Sequence, residues 1–491
     1  MRHNLFHGVP KTTPPHSFQS SQNMKNYFEC LLAIFSELNV LRHNLIYGVP
    51  KVASSVISPL FLKIWKTIFR KASLLLEAKH FAPQPFAKKE FLKAYRTTVI
   101  IEKNFKKEGF LMIYFDNSAT TPIFPQSLDA YVKTSQRIIG NPSSLHDLGN
   151  QANRLLQQAR KQIAELIGAT PEEIYFTSGG TEGDNWVLKG TMIEKREYGN
   201  HLIISGIEHP AVSETAEQLK ELGMEVSIAP VDKNGFVIVE ELKKLVRKET
   251  VLISIMGVNN EVGSIQPIQE ISEFLTDYPK IHFHVDAVQA IGKVSFDQWL
   301  TERVDFATFS AHKFHGPRGI GFIYWKKGRR LAPLLTGGGQ ENNQRSGTEN
   351  VPAVVAMAKA LRLSLDTKAR KPEHTQNLKT ALIGALKTYD KVTIFSEGEK
   401  YAPHILCFSL KGIRGEVLVH ALEEKQIFIS TTSACSSRKH MASSTLHAMH
   451  VPHDLATSAV RISLDESNSM AEVEQFMIIF KQLYQKFSAI N

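Results

Sequence analysis

The chain has 491 residues, enough for two or three domains, and 43% of them are hydrophobic, as in ordinary globular proteins. Its net charge of +10 lies in residues 1–111, which hold 17 Lys and Arg against 6 Glu and no Asp, so no direct nucleic-acid surface is expected on the rest. No apolar run reaches the ~18 residues of a membrane span, and three cysteines argue against a disulfide framework, which favours a cytoplasmic protein with no membrane partner.

Residues 1–111 are predicted to be a basic extension that is either non-native or disordered. Arg2–Lys11 recurs almost unchanged as Arg42–Lys51, while Leu60–Leu76 fits a basic amphipathic helix of the kind found in transit peptides. We expect the native protein to start at Met112, because the codons for residues 107–109 can contain a bacterial ribosome-binding sequence. Coding DNA without that purine run would contradict this expectation.

The body of the chain begins with a short strand and a turn over Met112–Pro122. A polar loop follows at Gly140–His146. Apolar spacing over Leu148–Ile167, with Gly168 directly after it, predicts a surface helix and its stop signal.

In each of three further segments, an apolar run is followed by polar or glycine-rich residues. The strand in Glu173–Thr177 passes into a Gly-rich turn and then a helix over Asn185–Lys189, and the backbone N–H groups at such a junction form a phosphate seat. Buried strands are predicted at His201–Ser205 and Val251–Met256. His209 follows the first of these and Asn260 the second.

Two later apolar runs place a carboxylate and an amine at strand ends. Asp286 ends one run, and Lys313 follows the next, which covers Val304–Phe309. In a doubly wound sheet both side chains meet at one strand-end crevice. A desolvated amine there is a nucleophile toward aldehydes, as a Schiff base with pyridoxal phosphate (PLP) requires, and the carboxylate suits a protonated pyridine nitrogen.

From Ile113 to the C-terminus these motifs resemble, in order, the class V aminotransferases, and within them the cysteine desulfurases. The resemblance implies PLP as the cofactor and Lys313, His209 and Cys435 as catalytic residues. The implied cofactor-binding residues are Gly180, Thr181, His209, Asn260, Asp286, Gln289, Ser310, His312, Lys313 and Thr348. Substrate binding is implied for Asn141, Asn260 and Arg461, and no metal is expected. Thr348 reaches the phosphate of a neighbouring subunit in the family, which implies a homodimer.

Two cysteines of the body have different surroundings. Cys407 alternates with apolar neighbours and is predicted to be a buried, inert side chain. Cys435 lies in Thr431–Arg438, a run of small polar residues with basic groups after it, which favours an exposed thiolate. By composition alone a free cysteine is more often structural, and the resemblance to the family's Ser-Ala-Cys loop reverses that preference.

The resemblance implies an α/β protein of PLP-dependent fold type I. A large domain with a mostly parallel seven-stranded sheet is expected over residues 127–367. A smaller α+β C-terminal domain is expected over residues 368–491, carrying the Cys435 loop and joined by the N-terminal segment 112–126.

The predicted function is conversion of L-cysteine to L-alanine, with the sulfur passed to Cys435 as a persulfide and then to an acceptor protein. The Cys435 loop resembles those of desulfurases dedicated to tRNA thiolation, so a tRNA thiouridine synthase is the first expected acceptor and an iron–sulfur scaffold the second. A selenocysteine lyase or another class V aminotransferase would share the cofactor site without requiring Cys435. A sulfur-relay scaffold or a nucleic-acid binder would not be an enzyme at all.

Overall fold

The computed structural model describes residues 112–366, 372–432 and 443–489. The expectations for residues 1–111 and for Cys435 lie outside these residues. Within them the strands are β1 (Ile113–Tyr114), β2 (Ile174–Thr177), β3 (His201–Ser205), β4 (Glu225–Ala229), β5 (Thr250–Ser254), β6 (His282–Asp286), β7 (Phe306–Ser310), β8 (Gly321–Trp325), β9 (Val392–Ile394), β10 (Ile405–Leu410), β11 (Ile427–Phe428), β12 (Ser430–Thr431) and β13 (Ala459–Ser463).

The described helices vary from one turn to about six turns. They are α1 (Pro125–Arg137), α2 (Asp147–Ile167), α3 (Gly180–Glu194), α4 (Pro210–Glu221), α5 (Val239–Leu245), α6 (Ile268–Leu275), α7 (Val351–Leu365), α8 (Pro372–Leu386), α9 (Gly415–Glu423), α10 (Ser444–Ala448), α11 (His453–Thr457) and α12 (Met470–Ser488). None in the described ranges is long and apolar enough to cross a bilayer.

A seven-stranded sheet in the order β2-β8-β7-β6-β5-β3-β4 forms the centre of the fold. Strand β8 runs opposite to the other six strands, which all share one direction. This confirms the predicted mostly parallel sheet. Every residue of β3, β5, β6 and β7 is buried, as expected for parallel strands covered on both faces. The carboxyl ends of the parallel strands therefore share one edge, where ligands of such sheets bind.

Glycine residues mark the end of one helix and the start of another near the predicted site. Helix α2 ends as predicted at Gly168, whose φ of 73° lies in the left-handed region that glycine adopts without strain. Helix α3 begins at Gly180, five residues earlier than predicted, so Gly180 and Thr181 lie in its first turn. No side chain caps this start, which leaves its backbone N–H groups free for a ligand.

A second, smaller sheet has the order β12-β13-β10-β9, with antiparallel pairing throughout. Its apolar face packs on α8 and α12 around Leu378, Phe408 and Phe480. The N-terminal strand β1 pairs with β11, and Asp116 forms a bridge with Ser463. The large α/β sheet together with this α+β unit confirms the predicted fold class, while the domain boundaries stay predictions.

Candidate active site

Lys313 lies directly after strand β7, in a 3₁₀ turn over Ala311–Lys313. Its Nζ donates hydrogen bonds to the carbonyl of Ser118 at 2.6 Å and to that of Ala119 at 3.1 Å. The Nε2 of Gln289 donates to the same Ser118 carbonyl at 2.9 Å. The turn after β1 thus holds the amine and the amide of two predicted site residues side by side.

Asp286 ends strand β6 and is 95% buried, with its Oδ1 accepting from the N–H of Val288 at 3.0 Å. Burial raises the pKa of the Asp286 carboxyl, and the nearby His209 and Lys313 act in the opposite direction. The structure therefore brings the three residues into one electrostatic group, as the sequence predicted. A cation placed here lowers the cost of keeping Asp286 ionised.

His209 follows strand β3 and begins helix α4, where its Nδ1 accepts the N–H of Ala211 at 3.1 Å. Burial lowers the pKa of His209, with Lys313 adding to the shift and Asp286 opposing it. The neutral ring, fixed by its own helix, can present a flat face or exchange a proton near neutral pH.

Two buried acids that the sequence argument did not single out as site residues accompany Asp286. Asp184 is buried on α3, and the pKa of its carboxyl is raised well above the usual value by burial and by Asp286. Glu208 accepts from the Ser205 hydroxyl and from the N–H of Met256 at 3.0 Å, and burial raises its pKa to about 8. In the sequence, the only hints of these two acids were that Asp184 occupies an inward-facing helix position and that Glu208 directly precedes His209.

The predicted phosphate seat consists of the start of α3 and the residues after β7. A Cβ added at Gly180 would lie 3.6 Å from the Cβ of Ser310 and 2.9 Å from a Val288 methyl group, so this backbone passes close to Ser310. His312 shares a hydrogen bond with the Thr120 hydroxyl at 3.2 Å, and burial lowers its pKa to about 4. Thr181 is exposed at the same helix start.

Arg461 approaches from strand β13 of the small sheet. Its Nη1 donates to the carbonyl of Asn260 at 2.7 Å and its Nη2 to Asp116 at 2.9 Å, while the buried Nε has no hydrogen-bond partner among the described residues. Since Asp116 belongs to the same turn as Ser118, one short segment contacts both Arg461 and Lys313.

Two predicted site residues lie apart from this group. Asn141 is exposed, and its Oδ1 accepts the N–H of Ser143 at 2.9 Å. Thr348 is exposed as well. Helix α7 is capped by Asn350, which directly precedes its first residue and accepts the N–H of Ala353 at 3.2 Å.

Cys407 is fully buried on β10, and burial raises the pKa of its thiol far above the usual value. The prediction of an inert core cysteine is confirmed. Cys435, the predicted sulfur carrier, lies outside the described residues.

The class-V aminotransferase profile matches residues 113–476. The chain belongs to the class-V aminotransferase family. It is 55% identical over 381 residues to a NifS/IcsS protein homolog of Lactobacillus delbrueckii subsp. bulgaricus, covering 77% of this chain and 99% of the relative. It is 40% identical to a cysteine desulfurase IscS of Methanosarcina thermophila, covering 76% of this chain and 92% of the relative.

Among solved structures, a NifS-like protein matches with a TM-score of 0.72 and 38% identity, over 77% of this chain and all of its own. Together these findings make the chain a PLP-dependent enzyme, a cysteine desulfurase of the IscS/NifS type. The site fits that cofactor on its own chemistry. The buried Asp286 suits the ring nitrogen, the uncapped start of α3 suits the phosphate, and the Oε1 of Gln289 has no partner among the described residues.

Proposed function

We propose that Arg461 and Asn260 bind L-cysteine, that Lys313 moves its α-proton, and that Cys435 receives its sulfur. The observation that supports this most is the shared turn after β1. Its Ser118 and Ala119 carbonyls accept from Lys313, and its Asp116 accepts from Arg461. The amine and the guanidinium are therefore held by one short segment, residues 116–119.

The cofactor, when bound, supplies an electron sink next to the α-carbon of the substrate. In the proposal Gly180, Thr181, Ser310 and His312 hold its phosphate, with Thr348 acting across the homodimer. Asp286 would keep the ring nitrogen protonated, and His209 would contact the ring. The Gln289 amide and Asn260 would serve the phenolic oxygen.

Lys313 is the proposed base. Its Nζ donates to two carbonyls, which hold the amine in place without adding a counter-charge. His209 next to it stays neutral at physiological pH, because burial lowers its pKa, and can pass a proton to or from Lys313.

Arg461 is the proposed carboxylate-binding residue, since a guanidinium fork matches a carboxylate in two hydrogen bonds. Two of its nitrogens are held by Asp116 and Asn260, which fix the plane of the fork, and the buried Nε still lacks a partner in the described ranges. Asn141 is a second proposed contact, from its exposed loop.

In the sulfur-transfer step the Cys435 thiolate attacks the substrate sulfur. A sulfur–sulfur bond forms and the carbon–sulfur bond of the substrate breaks. The carbon fragment gains a proton and leaves as L-alanine, while Cys435 keeps the sulfur as a persulfide. A reducing cytoplasm, which we propose as the location, keeps such a thiol free between turnovers.

The test is to compare Cys435→Ala with Cys407→Ala, which removes an inert thiol, by measuring sulfide and alanine from L-cysteine with a thiol reductant. We expect Cys435→Ala to lose sulfide and alanine formation but to keep the visible absorbance of bound PLP. The Cys407 control should stay near wild type. Full sulfide release by Cys435→Ala would contradict the role of the thiol, and an oxo acid product would indicate an aminotransferase instead.

For the acceptor we propose a protein of tRNA thiolation, in line with the Thr431–Arg438 loop, and we propose that the enzyme acts as a homodimer. Exposed apolar side chains over 128–148 support the dimer, because Leu128 and Val132 share one face of α1 and Leu145 is 96% exposed. Capture of partners by the persulfidated enzyme tests the acceptor. Recovery of an iron–sulfur scaffold without a thiouridine synthase would contradict it.

A further inference from the structure

A cavity of about 280 Å³ lies beside the segment that carries Lys313. Its walls come from the turn after Gln289, from the residues before β10 and from those after β13. The wall residues that matter here are Lys293, His404, Ser364, Thr375 and Asp465. Lys313 itself lines the cavity, whereas none of the proposed phosphate-binding residues does, so the cavity adjoins the catalytic amine but is distinct from the proposed phosphate seat.

Two basic side chains enter this cavity without protein partners. His404 is 98% buried, and neither of its ring nitrogens has a hydrogen bond within the described ranges. The Nζ of Lys293 is equally inaccessible and equally lacks a described acceptor. Buried polar atoms are paired in the great majority of cases, and an unpaired buried ammonium is especially costly, so these three nitrogens point to a missing ligand.

The cavity wall carries two lysines, Lys293 and Lys313, and two carboxylates, Asp465 and Glu466, so it is the unpaired ammonium of Lys293 that favours an anion. Burial lowers the pKa of Lys293 to about 8, which still leaves most of this group charged at neutral pH. Lys379 and Arg461 also act on His404 and lower its pKa further below the usual value. The carboxylate that acts on Lys293 and raises its pKa is that of Asp465, but its Oδ1 pairs with His315 at 2.9 Å and its Oδ2 accepts from Ser467 at 2.8 Å.

A metal ion does not fit these residues. An ammonium group has only donors, and the described residues contain no group of three or more His, Cys, Asp or Glu able to hold a metal. The hydroxyl of Ser364 is already used, because it donates to the Phe314 carbonyl at 3.0 Å. The unused groups are thus the ammonium of Lys293 and the imidazole of His404, with the Thr375 side chain at the wall.

We propose that this cavity binds a small oxygen-bearing anion, with the Lys293 ammonium and the N–H of the His404 ring as its donors. Carboxylates and inorganic oxyanions share this chemistry. The site is additional to the desulfurase reaction and does not depend on the roles proposed above for Cys435 or Arg461. Its position next to the Lys313 segment would let an anion change the electrostatic environment of the catalytic amine.

The first experiment locates the ion. Crystals of the holoenzyme are soaked in sodium selenate, and others in sodium (methylseleno)acetate as a carboxylate that does not alkylate thiols, and anomalous maps are calculated. We expect a peak within hydrogen-bond distance of Lys293 and His404 for one of the two. Ordered water alone at these nitrogens, or peaks only elsewhere, meaning an adventitious ion only, would overturn the proposal.

The second experiment measures affinity in solution by calorimetry with sodium sulfate and with sodium acetate. Lys293→Met should weaken the binding of the preferred anion about tenfold or more, since a charge-assisted hydrogen bond is lost. Lys379→Met is the matched control. Lys379 is also buried, but its Nζ donates to the Ala402 carbonyl at 2.9 Å and it does not line the cavity.

The control should change affinity less than threefold. Equal weakening by both variants, or no binding of either anion to wild type, would refute the site. Far-UV circular dichroism and PLP absorbance check that each variant is folded. If Lys293→Met does not fold, the wild-type crystals still decide the question.

Discussion

The buried titratable groups on the two sides of Lys313 are acids on one side and bases on the other. Under the ends of β3 and β6 and along α3 lie the acids Asp184, Glu208 and Asp286, and burial raises the pKa of each. Toward the small sheet lie Lys293, Lys379, His404 and Arg461, and there burial lowers the pKa of Lys293, Lys379 and His404. Lys313 interacts electrostatically with members of both groups, Asp286 and Lys293.

This difference indicates how Lys313 can act on both the cofactor and the amino-acid substrate. The acidic side suits a cationic pyridine ring, whereas the basic side suits the carboxylate of an amino acid. The acids lie in or next to the large sheet, and most of the basic groups are carried by the small unit. Changing Asp286 should therefore alter cofactor properties, and changing Arg461 should alter substrate binding.

The largest effect is expected from Lys313 itself. Lys313→Ala should lower alanine formation by about a thousandfold or more, because it removes the proposed base and the amine that bonds the cofactor. The visible absorbance of covalently bound PLP should disappear, while the circular dichroism spectrum should stay unchanged. Appreciable alanine formation by Lys313→Ala would contradict the proposed role of this amine toward both the cofactor and the substrate.

On the acidic side, Asp286→Asn should lower alanine formation about a hundredfold, because an amide cannot stabilise a protonated ring nitrogen. Asp184→Asn is the matched control. Burial and Asp286 raise the pKa of the Asp184 carboxyl well above its usual value, which favours the protonated form that an amide resembles. An equal loss in both variants would show that the acids act as one group rather than through Asp286.

On the basic side, Arg461→Lys should raise KM for L-cysteine about tenfold with a smaller change in kcat, since lysine cannot offer two parallel donors. Steady-state kinetics gives both values. Asp116→Asn should shift the same parameter in the same direction by less, because it only loosens the fork. A change in PLP absorbance without a change in KM would contradict the division between the sides.

The smallest effect concerns stability and pH. The pKa of Glu208 is about 8 in the folded protein against 4.5 in the unfolded chain, so its stabilisation is complete below about pH 4.5 and is lost as the pH rises through about 8. Between about pH 5 and about pH 8 the free energy of unfolding of wild type should therefore fall by a few kcal/mol relative to Glu208→Gln. Urea unfolding of both proteins across this range checks it, and parallel curves would contradict it.

The sequence alone predicted the residues at strand ends. Asp286, Lys313 and His209 follow runs of buried apolar residues, and parallel pairing alone brings such ends together. It did not predict that Asp184 and Glu208 join them, because burial of one acid depends on the packing of several elements. Lys293 and His404 gave no signal either, since their enclosure comes from segments more than a hundred residues apart.

The pairing of β1 with β11 has a consequence for biosynthesis. Asp116 leaves the ribosome more than three hundred residues before Arg461, its ion-pair partner. Ser118 likewise precedes Lys313 by 195 positions. A nascent chain can complete its large sheet early, yet the segment between Asp116 and Ala119 gains its last contacts only when β11 and β13 have emerged. The catalytic centre therefore assembles only when translation is nearly finished. A truncated chain that contains Lys313 but lacks β11 and β13 does not catalyse the reaction.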